Sequence, residues 1–230
     1  MFLGKKINNE VTVKLQENVL KNQNEVKLLG VNIDNKLKFS NHISQVCKTA
    51  NNKLSALFRL RKYLNEKQTR ILKNSHVLSS FYYCPIIWMF CSKTDYNKIE
   101  KTHKRTLRLQ TKDFTCDYKK LLKLTNSNTI HQKHIQFLLT EIYKTKNKIN
   151  PEFMKEIFLF KETKYNLRKK DLLQTTNMKT TTFGINTFTF EGCLIWNSLE
   201  NCLKEQKSLE KFKNLLKQNK KLACNCKICQ

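Results

Sequence analysis

Three cysteines close the chain as Cys224-x-Cys226-x-x-Cys229. Thiolates at that spacing can wrap a tetrahedral zinc ion, which needs a fourth ligand, and Cys202, Cys193 or a histidine can supply it. The competing reading is a frayed tail with free thiols. His131 and His134 stand three residues apart on a predicted helix, but no cysteine or carboxylate lies near them in sequence, so they read as surface or core histidines.

A second pattern is cationic. Lys98, Lys101, Arg105 and Arg108 recur at i, i+3, i+7 and i+10, four cations on one helical face, while Tyr96, Ile99, His103 and Leu107 form another. Such a helix can dock on a core and present charge to phosphates, and arginine supplies a planar fork suited to them. The competing reading is a solvated face in a lysine-rich protein. Arg59 and Arg61 add cations upstream.

Catalytic patterns are missing. There is no Asp-Asp pair, and Asp34, Asp95, Asp113, Asp117 and Asp171 are scattered, whereas two-metal nucleotidyl transfer needs gathered carboxylates. They read as caps and turn residues, Asp34 opening a turn after a strand. No G-x-S-x-G elbow, P-loop or dinucleotide fingerprint occurs.

The 230 residues carry 44 Lys and Arg against 18 Asp and Glu, a formal net charge of +26. With 40% hydrophobic and 10% aromatic residues the chain is too apolar for a disordered polycation. It is expected to fold and to meet a polyanion, nucleic acid ahead of a membrane surface. No leader is visible, and the longest apolar run, 81–91, is broken by Pro85 and too short to span a bilayer. Nine cysteines, mostly single within apolar stretches, suggest a reducing intracellular compartment, and the lysine runs suit nucleus or cytoplasm.

The elements expected to position these residues are mainly α with small β elements (α+β). Alternation over 11–34 predicts short strands, Gly30 marking a bulge or close backbone approach. Helical spacing follows over 41–64. Asn65 with Gln68 forms a capping box for a helix that Pro85 ends. Further helices are expected at 95–110, at 118–124 and after an Asn128 cap. Alternating β-branched and aromatic residues over 180–190 predict a strand or two, and 208–221 returns to helix. The boundaries drawn are 1–40 strands, 41–150 helical block, 151–221 mixed region and 222–230 Cys-rich tail.

The order of landmarks resembles the C-terminal part of reverse transcriptases of non-LTR, LINE-type (jockey-like) retrotransposons. It is carried by Lys27-Leu28-Leu29-Gly30-Val31-Asn-Ile33-Asp34, by Leu37-x-Phe39-x-x-His42-Ile43 and by Leu57-x-Arg59-Leu60. Ser80-Phe81-x-Tyr83-Cys84-Pro85-x-Ile87-Trp88 follows, then Lys98-Ile99-Glu100, Arg105-x-Leu107-Arg108 and Tyr165-x-Leu167-Arg168. Gly192-x-x-Ile195-Trp196-Asn197-Ser198-Leu199 precedes Ser208-Leu209-x-x-Phe212-Lys213. The resemblance spans about 5–221.

It implies the end of a palm, a thumb and a connection-like region. Leu28, Leu29, Gly30 and Val31 would correspond to the primer grip, and the helices after them would hold template and primer. Expected partners are RNA, DNA or their hybrid, with the palm and fingers of a parent polymerase. That family's metal-binding aspartates, including its aromatic-Ala-Asp-Asp turn, would lie upstream of Met1, so no polymerase activity is expected of this chain by itself, and magnesium belongs only to a full-length parent. The basic-face cations Arg59, Arg61, Lys98, Lys101, Arg105 and Arg108 are the expected nucleic-acid contacts. The alternative is a host-retained basic interaction module, with the strand edge 26–33 pairing to a partner or to a second copy of itself.

Overall fold

The computed structural model describes residues 1, 3, 13–16, 18–162, 170–175, 177–219, 222 and 224–229. Val11, the Tyr165-x-Leu167-Arg168 segment and the last residues of the expected terminal helix fall outside these. The protein is mainly helical with small β elements.

Two antiparallel hairpins open the chain. β1 (Val13–Leu15) pairs with β2 (Asn18–Leu20), and β3 (Glu25–Leu28) with β4 (Val31–Asp34), Leu28 opposite Val31. The second hairpin turns on two residues with positive φ, Leu29 at 44° and Gly30 at 83°, the primed turn that matches strand twist. Gly30 is a close approach as expected: a Cβ there would lie 3.3 Å from the Tyr83 ring, and the Tyr83 hydroxyl donates to the Leu29 carbonyl at 2.5 Å. Asp34 ends the hairpin as the predicted turn carboxylate, accepting from the backbone N–H groups of Lys36, Lys38 and Phe39.

The helices are α1 (Ser40–Leu60), α2 (Glu66–Leu72), α3 (Pro85–Trp88), α4 (Lys93–Thr111), α5 (Tyr118–Leu124), α6 (Ile130–Lys146), α7 (Met154–Ile157), α8 (Phe188–Ser198), α9 (Asn201–Lys204) and α10 (Leu209–Gln218). α1 buries His42, Ile43, Cys47, Ala50, Leu54 and Leu57, the spacing of one helical stripe. The Asn65–Gln68 capping box opens α2.

Three expectations need correction. The second helix does not run to Pro85: after Leu72 it loosens into a π turn (Lys73–Val77) and a 3₁₀ turn (Leu78–Phe81), and Pro85 instead begins α3, its missing N–H costing nothing at a first helical position. Thr129, not Asn128, caps α6, forming a capping box with Gln132. Residues 180–190 are not strands. A π turn at Thr181–Ile185 leads into α8, where the Thr187 hydroxyl accepts from the Phe190 N–H. Packing on α6 overrides strand propensity there: Gly192 lies so close that a Cβ would meet a Leu138 methyl at 3.3 Å.

Two apolar clusters form the core. One gathers α1, β4, α3 and α4 around Trp88, and takes in Cys226 and Ile228 from the tail. The other gathers α6, α8, α9 and α10 around Trp196, with Phe158 and Leu173. Phe90 and Cys224 pack against both. Within the second, Tyr143 stacks on Phe212 with ring centroids 4.3 Å apart. No helix among the described residues is long and apolar enough to cross a membrane.

Candidate metal centre and nucleic-acid interface

His131 is the second residue of α6, held at a capped helix start. Its Nε2 lies 3.3 Å from the Cys226 Sγ and 3.6 Å from the Cys224 Sγ, and Cys226 is 3.8 Å from Cys229, sulfur to sulfur. All four ligand atoms lie within 4.8 Å of one another. A tetrahedral ion with bonds of about 2.3 Å to sulfur and about 2.0 Å to nitrogen separates sulfurs by about 3.8 Å and sulfur from nitrogen by about 3.5 Å. The cluster can therefore hold a metal ion.

Local physics supports that. A chain reversal, with the Cys229 N–H on the Cys226 carbonyl at 2.9 Å, folds the three thiols to one side. Side-chain interactions with the Cys224 and Cys229 thiols lower the pKa of Cys226 against the opposing effect of burial, with His131 adding to the shift. The shared proton network raises Cys224. The positive end of the α6 dipole beside the cluster favours thiolate. Lys93 donates to the Ile228 carbonyl at 2.7 Å, which fixes the tail to α4 and sets an ammonium near Cys229. The His131 ring packs edge-on against Phe90 and Tyr96, and its Nδ1 is buried with no hydrogen-bond partner among the described residues.

The Cys triplet of the sequence thus finds its fourth ligand in a histidine. His131 is a cluster member, correcting its reading as a plain surface or core histidine; no sequence-local signal links it to cysteines 93 and 95 residues away. His134 is a core histidine, its Nε2 2.8 Å from the Phe81 carbonyl and its pKa pushed down to about 3 by burial. Cys193 is buried with its thiol toward the Gln174 carbonyl, and Cys202 is exposed; neither joins. All nine cysteines are free thiols.

The cationic stripe lies along a seam between α1 and α4. Ser40 donates to Asp95 (2.6 Å), Lys98 to Ser44 (3.1 Å) and Arg105 to Asn51 (2.8 Å), pairs separated by 55, 54 and 54 residues. A constant offset means two parallel helices in register. Ser44, Lys48, Asn51, Ser55 and Arg59 follow one stripe of α1 and none is buried. Facing them, Lys98, Lys101 and Arg105 are exposed on α4. Along α4 the span from Lys98 to Arg105 is about 10 Å.

Asp95 anchors the seam. Burial resists its ionisation, but hydrogen bonds from Lys98, Ser40 and Ser92 outweigh that and lower its pKa. At the far end Arg61 stands over the Phe114 ring at 5.4 Å, and Arg108 is half-buried with its Nε lacking a partner among the described residues. The stripe therefore grades from exposed at Lys98, Lys101 and Arg105 to half-buried at Arg108 and Arg61.

The aspartates do not converge. Asp113 accepts from Thr115 and Cys116, Asp117 precedes α5, and Asp171 pairs with Lys146 at 2.5 Å. The hairpin tip leaves Leu28 58% and Leu29 82% exposed, while Val31 is buried against α1. No protein-family model, curated protein or solved structure matches the chain.

Proposed function

We propose that the chain is a nucleic-acid-binding helical module, the end of the palm, the thumb and a connection-like region of a reverse transcriptase of the non-LTR, LINE-type kind. In this reading it binds the template and primer, and their extension belongs to a full-length parent. The observation that carries the binding is the α1/α4 seam: Lys48, Arg59, Lys98, Lys101 and Arg105 exposed along two parallel helices, in a chain of net charge +26. Regularly spaced cations backed by hydroxyl and amide groups suit a phosphate backbone and carry no base code. The retrotransposon lineage rests on the order of sequence landmarks.

The metal of the tetrad is zinc in this reading. Three thiolates and an imidazole at tetrahedral spacing are soft donors of the kind zinc takes in structural sites, and the free thiols suit a reducing nucleus or cytoplasm. Zinc would join α6 to the tail, and through Cys226 and Ile228 to the core beneath the seam.

Fluorescence anisotropy with a labelled RNA–DNA hybrid tests the binding across a range of KCl. Five phosphate contacts correspond to a slope of log K against log salt of about −4 to −5. Absence of binding to any nucleic acid at low salt, or an affinity indifferent to salt, refutes the reading.

A second reading, a host-retained interaction module, is favoured by the exposed leucines at the hairpin tip. Sedimentation separates the two: a monomer that binds nucleic acid supports the first, and self-association abolished by Leu29→Ser supports the second.

A further inference from the structure

On the side of α4 away from the seam, a cleft of ≈ 1290 Å³ opens between the α2 region, α4, the α5–α6 loop, α6 and α10. It exceeds the roughly 300–1,000 Å³ usual for a small-molecule site. One wall presents Arg70 and Lys73, and the other Lys133, Lys144, Lys213 and Lys217; among the described residues the one acidic group lining it, Glu141, is bonded to Lys144 at 2.7 Å. Lys73 is only 3% exposed, its ammonium on the Gln110 side chain at 2.6 Å. Burial and the neighbouring Arg70 push its pKa down to about 8, and burial with Lys217 lowers that of Lys133. Like charges crowd here with little internal compensation, at a free-energy cost that an anionic ligand would relieve.

The cleft is not built for a simple anion. Phe137, 40% exposed, lies on its α6 wall, and its ring meets the Tyr82 ring edge-on at 5.5 Å. On α6, Lys133, Gln136, Phe137, Thr140, Glu141 and Lys144 form one stripe. Cations flanking an exposed aromatic face, with side-chain amides beside them, are the means by which unpaired bases and their phosphates are held together.

We propose that this cleft holds a short unpaired stretch of RNA or DNA, with phosphates between Arg70 and the Lys213–Lys217 pair and a base stacked on Phe137. This surface is separate from the α1/α4 seam, and the two can fail independently.

The test uses the full chain, loaded with zinc, and a labelled single-stranded oligonucleotide of about six nucleotides, a length suited to one such groove. Lys213→Glu with Lys217→Glu is expected to weaken oligonucleotide binding by about tenfold or more while leaving hybrid-duplex affinity within about threefold. Phe137→Ala is expected to weaken the oligonucleotide by about fivefold or more and to leave competition by inorganic polyphosphate unchanged. All three positions are exposed, so folding is preserved. The proposal is overturned if the wild type binds no single strand, if the charge reversals leave its affinity unchanged, or if Phe137→Ala has no effect. The last outcome would define a phosphate site without base stacking.

Discussion

The tetrad and the seam gather chemistry in opposite ways. His131 meets cysteines 93 and 95 residues away at a single point, where distances of 3.3 to 3.8 Å decide whether an ion fits. The seam spreads its cations along two helices locked by a repeating offset, so in the proposed binding each contributes a share and none is indispensable. Removing one ligand should therefore act abruptly on stability, and removing one cation gradually on affinity.

The largest expected effect is at the tetrad. Cys226→Ser, or prolonged chelation, should lower unfolding free energy by about 4–5 kcal/mol and release the tail to proteolysis, as urea melts and limited digestion would show. A stability unchanged by Cys226→Ser would mean that the cluster closes nothing.

Acid should act on the packed framework shared by both regions. His103, buried beside the Tyr118 hydroxyl, and His134 both have pKa values pushed down to about 3, chiefly by burial. Each folded pKa lies below the unfolded value near 6.5, so the unfolded chain binds the extra protons. The stability is complete above pH 6.5 and is lost as pH falls toward 3, by about 1.4 kcal/mol per pH unit for each histidine, or about 4 kcal/mol by pH 5. His134→Gln, whose amide can still reach the Phe81 carbonyl, should flatten that pH dependence by about half.

At the seam, Lys101→Glu with Arg105→Glu should weaken hybrid binding about 10- to 100-fold and make the salt slope shallower by about 2, with stability within about 0.5 kcal/mol of wild type. Equal losses for duplex and single strand would mean that seam and cleft form one continuous surface. The smallest effect is expected at the hairpin. Gly30→Ala forces a side chain into positive φ against the Tyr83 ring and should cost about 1–2 kcal/mol in a thermal melt, leaving metal content unchanged.

How much of this the sequence revealed follows from the range of the interactions. Periodicity found α1, α4, α5 and the Asn65 capping box because those signals are local. It misjudged 180–190, whose alternating threonines and phenylalanines mimic a strand until α6 supplies a surface that Gly192 fits. The Cys triplet was visible as three ligands of a metal site that lacked its fourth. His131 was not, since its partnership depends on the tail crossing to the start of α6. The cleft was invisible too: Arg70, Phe137 and Lys217 acquire a common purpose only once α6 and α10 face the α2 region.

Metal analysis tests the central claim most directly: that the terminal cysteine triplet and a histidine far upstream hold one ion that closes the helical platform. Protein purified without chelators should contain about one zinc per chain, and cobalt(II) in its place should give the intense visible bands of a tetrahedral thiolate site, both lost in Cys226→Ser. A folded wild-type protein free of metal that shows no cobalt spectrum would contradict it.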